Sequence, residues 1–238
     1  MKKVIVIGAT SGIGRELAKL FVQRNCIVGA TGRRKELLDS LEQEFPGKII
    51  TECFDLMENE NIRHLETLIS RLGGLDIFTY NSGFGEPSKD LPWEIEKQTT
   101  LTNVNGFVET MNYVFNYFLK QGHGQVVGIS SIASIRGSSW APAYSASKAF
   151  MSVYLEGLTM KAYRLKKNIA VTDIQPGFIN TKMSKGNKQF WVSSKEKAAK
   201  QIFNAIQKRR RRAYITKRWW LIAKILKCVP YPILKRFA

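Results

Sequence analysis

The order of events at the start of this chain (apolar run, glycine turn, helical pattern) constrains its fold more than anything else in it. Lys3 leads into Val-Ile-Val-Ile, ending at Ile7, and Gly8-Ala-Thr-Ser-Gly12-Ile-Gly14 follows. Beyond Gly14, Leu17, Ala18, Phe21 and Val22 recur at helical spacing. Glycines let a backbone approach a pyrophosphate closely, and the N-terminus of the following helix offers unpaired N–H groups and a positive dipole. A glycine pattern alone could be an ordinary strand-to-helix turn. Its position directly after an N-terminal strand favours the nucleotide reading.

The pattern then repeats. Strands are expected over 4–7, 27–31, 49–54, 76–80, 125–130, 171–175 and 214–216, and helices over 14–24, 34–44, 59–72, 94–120, 143–165 and 195–208. Such alternation implies right-handed crossovers and an α/β fold, a Rossmann-type doubly wound parallel sheet with ligands at the carboxyl ends of its strands. At 238 residues the chain is long enough to cover both faces of a large sheet in a single domain. Residues 1–216 are expected to form the nucleotide-binding and catalytic domain, and residues 217–238 a basic amphipathic C-terminal tail.

The second strand ends in Thr31, and Gly32-Arg33-Arg34 follows. An NAD site normally presents a carboxylate here to the ribose hydroxyls. Two arginines suit a 2′-phosphate instead, which predicts NADPH/NADP+ as cofactor. They could also be a solvated helix start, but arginine is unfavourable beside the positive end of a helix dipole.

A second constellation lies in the middle of the chain. Tyr144-Ser-Ala-Ser-Lys148 places a phenol and an ammonium four residues apart, on one face of a helix. Positive charge beside a phenol stabilises its phenolate. Ser131, thirteen residues before the tyrosine, can hold a carbonyl oxygen in line for proton delivery. This is equipment for interconverting an alcohol and a ketone. Taken singly, Ser131 could cap a strand, Tyr144 could be packing and Asn103 could cap a helix.

Together these motifs resemble those of the short-chain dehydrogenase/reductase family over roughly the first 180 residues and the last strand. The glycine motif corresponds to Gly8, Gly12 and Gly14, with Ile7 where the family usually has threonine. Asp55 matches the aspartate that contacts adenine. Tyr80-Asn81-Ser82-Gly83 retains only the second asparagine and the glycine of the family's Asn-Asn-Ala-Gly. Asn103 matches the active-site asparagine, with Asn105 the competing choice. Pro176-Gly177 and Thr181 match the segment beside the nicotinamide. The resemblance implies Asn103, Ser131, Tyr144 and Lys148 as catalytic residues. It implies a cofactor site of Gly8, Thr10, Ser11, Gly12, Ile13, Gly14, Arg33, Arg34, Asp55, Leu56, Asn81, Gly83, Tyr144, Lys148, Pro176, Gly177, Ile179 and Thr181. The expected activity is NADPH-dependent reduction of a hydrophobic or lipid-like ketone or 3-oxo substrate. A 3-oxoacyl-(acyl-carrier-protein) reductase and a non-catalytic NADPH-binding regulator are the alternatives, and the intact Ser-Tyr-Lys set argues against the regulator. In the family, residues 183–192 form a lid over the substrate; an ordinary connecting loop is the competing reading. Ser193-x-x-Glu196 looks like a capping box opening the next helix.

Charge and cysteines bear on compartment and partners. The chain carries a net charge of +18, and eleven of its thirty-seven Lys/Arg fall between Lys208 and the end, where there is no Asp or Glu. A basic tail can serve nucleic acid, an anionic membrane or an acidic protein. No nucleic-acid module is recognisable, which leaves a peripheral membrane or an acidic carrier protein. Trp219, Ile222, Ala223 and Leu226 recur at helical spacing, so the tail could instead pack on the domain or on a second subunit. Met1-Lys-Lys leads straight into the first strand, so no signal peptide is expected, and three cysteines without CxxC spacing read as reduced thiols. The expected location is cytoplasmic, with membrane association through the tail left open, and a homo-oligomer (dimer or tetramer) is expected. No His/Cys cluster suggests a metal, and His64 and His123 read as surface residues.

Overall fold

The computed structural model describes residues 1–181 and 190–235. Seven strands form one parallel sheet: β1 (Lys3–Ile7), β2 (Ile27–Gly32), β3 (Ile49–Cys53), β4 (Ile77–Tyr80), β5 (His123–Ile129), β6 (Asn168–Pro176) and β7 (Arg212–Ile215). Their order across the sheet is β3-β2-β1-β4-β5-β6-β7. Chain direction across the sheet reverses between β1 and β4. In a doubly wound fold this is where a crevice opens at the carboxyl ends of the strands.

The apolar run of β1 explains the layering. Its side chains alternate faces, and both faces are covered. Val4 and Val6 pack with Leu17 and Phe21 of α1 (Gly12–Gln23), Leu38 and Leu41 of α2 (Lys35–Glu44), and Ile202 and Ile206 of α7 (Lys195–Gln207). Ile5 and Ile7 face the other way, toward Leu65 and Leu68 of α3 (Asn61–Leu72), Phe107 and Met111 of α5 (Gly106–Gln121), and Met151 and Leu155 of α6 (Pro142–Arg164). Burial on both faces is what lets a parallel strand be apolar throughout.

Three local expectations are corrected. The helix expected over 94–120 is broken. It consists of α4 (Trp93–Thr100), a π-helical turn (Leu101–Asn105) and then α5. The wide turn frees backbone carbonyls, and the buried Tyr80 hydroxyl donates to one of them, that of Thr102. Tyr80 stands where the family has its first asparagine. Second, the cap of α7 is Ser194, whose hydroxyl accepts from the Lys197 N–H at 3.2 Å. Ser193 is occupied in a bridge with Ile179 instead. Third, the basic segment is divided. Arg209 is spent on Asn168, and Arg212 on Asp173 (3.1 Å) and Glu156 (3.5 Å). These lie at or near the amino ends of β6 and β7, away from the cations that follow β7. The expected lid falls mostly on residues 182–189, outside the described residues.

After β7 come α8 (Trp219–Cys228) and a short helical turn, α9 (Tyr231–Leu234). Trp219 and Ala223 are buried, while Trp220, Leu221 and Ile225 are about half exposed. One face of the tail helix therefore packs on the domain and the other does not. Among the described residues no helix is long and apolar enough to cross a membrane.

Candidate active site

A cleft of about 600 Å³ opens at the carboxyl ends of the strands. Its nucleotide side begins with the glycine turn. Gly8 and Gly12 have φ of +81° and +59°, conformations that side chains rarely tolerate. A Cβ on Gly8 would lie 2.8 Å from the Ser82 backbone nitrogen, and one on Gly14 would lie 2.1 Å from the Gly8 carbonyl oxygen. The third glycine thus lets α1 sit hard against the turn, and Asn81 holds the same carbonyl through its amide (2.9 Å). The cradle is sized for backbone, which fits a pyrophosphate brought close to peptide N–H groups.

At the end of β2, Arg33 and Arg34 line the cleft beside Gly32. The Arg34 guanidinium donates to the Thr10 and Ser11 hydroxyls (2.8 Å to Ser11), and Arg33 pairs with Asp55 at 3.3 Å. Asp55 also accepts from the Met57 N–H (3.1 Å). Leu56, Gly83, Pro176, Gly177, Ile179 and Thr181 complete the same wall.

Across the cleft, the 3₁₀ turn Ile132–Ile135 and the first turns of α6 bring Ser131, Tyr144 and Lys148 together. Pro142 opens α6 at a position where a missing N–H costs nothing. The Ser131 hydroxyl hydrogen-bonds the Tyr144 phenol while its oxygen accepts from the Ala133 N–H (3.1 Å). Lys148 is buried, with its ammonium 5.7 Å from the Tyr144 ring centroid and donating to the Ile129 carbonyl (2.9 Å). Burial drives the lysine's pKa down to about 8, against a smaller upward pull from Asp173. Burial pushes the Tyr144 phenol up, and the Ser131 hydrogen bond opposes it. Burial thus favours the neutral phenol, and the Ser131 hydrogen bond favours its ionisation.

Every residue expected to contact cofactor lines this cleft except Gly14, which packs behind the turn. Asn103 is likewise placed behind the wall. Its oxygen accepts from the Phe84 N–H (2.8 Å), and its amide donates to the Phe84 carbonyl (2.7 Å) and the Ser147 hydroxyl (2.9 Å). It ties the loop after β4 to the helix that carries Tyr144 and Lys148. Asn105 stands at the N-terminal boundary of α5 without a side-chain capping bond and makes none of these bonds. Sequence reasoning missed Phe84, Gly85, Pro87, Ala141 and Phe178, which line the substrate side. Gly85 had a signal of its own. It follows the Asn81–Gly83 motif by two residues, and a Cβ there would strike the Tyr144 ring at 2.3 Å.

The tail reaches the same wall. Trp219 lies against Gly177, where a Cβ would come within 2.0 Å of the indole. The Trp219 ring also meets Phe178 (5.3 Å) and Phe190 (5.2 Å). Among the described residues no group of three or more His, Cys, Asp or Glu is placed to hold a metal ion. His64 packs flat on Phe54 and bonds Glu52 at 2.8 Å, and His123 is exposed at the start of β5.

A parallel doubly wound sheet with a glycine cradle and a Ser-Tyr-Lys cluster across one cleft defines a nicotinamide-dependent oxidoreductase architecture. The short chain dehydrogenase family model matches residues 2–191, and the chain belongs to that family. A curated relative, an uncharacterized oxidoreductase of Myxococcus xanthus, is 34% identical over 78% of this chain and 75% of its own length. The 3-oxoacyl-(acyl-carrier-protein) reductase of Thermotoga maritima is 31% identical over 77% of this chain and 76% of its own. Among solved structures, a short-chain dehydrogenase from Streptomyces avermitilis superposes with a TM-score of 0.82 at 24% identity, covering 95% of this chain and 91% of its own. That likeness shows the fold.

Proposed function

We propose that this oxidoreductase is an NADPH-dependent reductase of hydrophobic ketone or 3-oxo substrates. The observation that carries the reading is the half-buried Tyr144, hydrogen-bonded to Ser131 and four residues from the buried Lys148, facing the glycine cradle across a single cleft. Bound NADPH would supply the hydride. Gly8 to Ile13 would hold its pyrophosphate, Arg33 and Arg34 its 2′-phosphate, and Lys148 its ribose hydroxyls. The polyketide ketoreductase whose solved structure contains NADPH is 26% identical with a TM-score of 0.72, covering 77% of this chain and 72% of its own, and supports that cofactor.

Ser131 then donates to the substrate carbonyl oxygen and fixes it beside the phenol. Tyr144 gives its proton to that oxygen as the carbonyl π electrons move onto it. Its raised pKa keeps the proton in place until the oxygen develops charge. Asn103 braces the loop and the helix on either side of the cleft. The apolar side chains of Phe84, Pro87, Ala141 and Phe178 suit an apolar substrate chain and exclude water from the transfer.

A 3-oxoacyl chain carried on an acyl-carrier protein is the second reading, favoured by the Thermotoga relative. The test is loss of NADPH absorbance with ketones of increasing chain length, free and carrier-linked. Tyr144→Phe should bind NADPH yet lose ~10²–10⁴-fold in turnover, the usual contribution of a positioned acid. Retained turnover would move the acid elsewhere.

A further inference from the structure

The chain has five tryptophans, and each lies on a segment that adjoins or packs on residues lining the cleft. Trp93 opens α4, just past the loop whose Phe84 and Pro87 line the cleft. Trp140 precedes α6, and its carbonyl accepts from the Ser88 N–H of that loop at 2.7 Å. Trp191 stands next to the Ile179–Ser193 bridge, and Trp219 and Trp220 open α8. Trp219 is buried; the other four are 42–69% exposed. Leu221 and Ile225 of α8 are exposed beside Trp220. Exposed large apolar side chains gathered on these segments are unfavourable in water and mark a surface that something covers.

Cations are interleaved with these rings. Lys217, Arg218, Lys224 and Lys227 are all exposed. The Lys224 ammonium sits 5.7 Å from the Trp220 ring centroid, and the Arg218 guanidinium 5.2 Å from that of Trp191. Interfacial segments combine apolar and aromatic side chains that enter the headgroup boundary with cations that meet lipid phosphate. At ten residues α8 is far too short to span a bilayer, so it would lie along one.

The helix is also fixed to the catalytic wall at both ends. Trp219 is seated on Gly177 at its N-terminal end. At its C-terminal end Arg136, from the loop between Ser131 and Tyr144, donates to the carbonyls of Leu226 (2.7 Å), Lys227 (3.0 Å) and Val229 (3.1 Å). Those are the carbonyls a helix end leaves without partners. Whatever the outer face of α8 rests on therefore lies beside the mouth of the cleft.

We propose that this surface docks on an anionic lipid bilayer, with α8 lying in the headgroup region and the cleft opening toward the acyl chains. A carbonyl compound dissolved in the lipid would then reach Tyr144 without crossing water, a consequence that rests on the reductase reading. Charge alone would serve an acidic carrier protein equally well. The exposed indole, leucine and isoleucine between the cations require apolar cover too, and a bilayer surface supplies both.

The test is cosedimentation of the full chain with phosphatidylglycerol/phosphatidylcholine vesicles, at low and high salt, against phosphatidylcholine alone. Binding to the anionic vesicles, weakened by salt, is expected. The triple variant Lys217→Gln/Lys224→Gln/Lys227→Gln should lose roughly a hundredfold in partitioning, at about 1 kcal/mol per cation near the surface. Trp220→Ser/Ile225→Ser should lose roughly tenfold or more from the apolar part. Both variants should melt like the parent and reduce a water-soluble ketone equally well. No sedimentation with anionic vesicles at low salt overturns the proposal. So does sensitivity to the charge variant alone, which would point to an acidic carrier protein, or conversion of an oligomer to a monomer without lipid, which would make the surface a subunit contact. Vesicle binding by a protein that reduces no ketone would leave the docking standing and remove the reductase reading.

Discussion

Lys148, the proposed catalytic lysine, shows how a site group can work against the fold that holds it. Its ordinary pKa is 10.5, and burial brings it to about 8 in the folded protein. Below pH 8 the ammonium is charged in both states, so the full cost of burying it is present. Between about 8 and 10.5 the unfolded chain holds a proton that the folded chain has released, so this group's contribution to stability rises with pH. Lys148→Met should therefore melt higher than the parent near pH 7, by on the order of 1–3 kcal/mol, and that advantage should shrink toward about pH 10. Turnover should collapse at every pH. Equal melting at the lower pH, or an advantage that grows with pH, would contradict this account.

The two arginines after β2 differ in a way their sequence does not show. Arg34 is built into the glycine turn through Thr10 and Ser11, whereas Arg33 is half exposed beside Asp55. Arg33→Gln should weaken NADPH binding by on the order of tenfold, as expected for one charge-assisted hydrogen bond, with NADH nearly unaffected. Arg34→Gln should disturb the glycine turn and weaken both cofactors. Binding titrations with the two cofactors separate these outcomes. An equal loss for both in Arg33→Gln would remove the phosphate assignment.

Among the elements, the π turn before α5 is the most consequential. It puts Asn103 against Phe84 and Ser147, and its Thr102 carbonyl is satisfied by the buried Tyr80 hydroxyl. Burial drives the Tyr80 phenol well above its ordinary pKa, so it remains a donor across the working pH range. Tyr80→Phe keeps the ring and orphans the carbonyl, a loss of about 1–3 kcal/mol. For a chain of this size each kcal/mol lowers Tm by about 2–4 °C. Because the turn positions Asn103 and not the glycine cradle, kcat should fall while NADPH affinity holds. Unchanged melting would show that the bond contributes nothing.

At the scale of the whole molecule, α6 carries a second exposed apolar surface. Phe150, Val153 and Met160 recur at helical spacing and are 41%, 70% and 62% exposed, on the helix that also carries Tyr144 and Lys148. A homo-oligomer, if formed through this stripe, makes a direct prediction. Light scattering should find a dimer or tetramer, and Val153→Asp/Met160→Asp should yield monomers. A monomeric parent would exclude the assignment.

Much of this molecule could be read from the chain alone, because the relevant physics is local. Val4 to Ile7 followed by Gly8, Gly12 and Gly14 specifies strand, turn and helix within a few residues. The i, i+4 spacing of Tyr144 and Lys148 places them on one helix face whatever the helix packs against. The family motifs add Ser131 and the cofactor wall for the same reason. Other features depend on contacts between residues far apart in sequence. The break at Leu101–Asn105 exists because Phe84 and Ser147 claim Asn103 and because Tyr80 reaches Thr102. The balance at Tyr144 between burial and the Ser131 hydrogen bond depends on how the folded cleft encloses the phenol. The basic tail read as one cationic block, yet the fold commits Arg209 and Arg212 to the amino end of the sheet. It seats Trp219 on Gly177 and caps α8 with Arg136, ninety residues away from Leu226. Which side chains of an amphipathic helix are buried is decided by the surface it meets, and only the folded molecule supplies that surface.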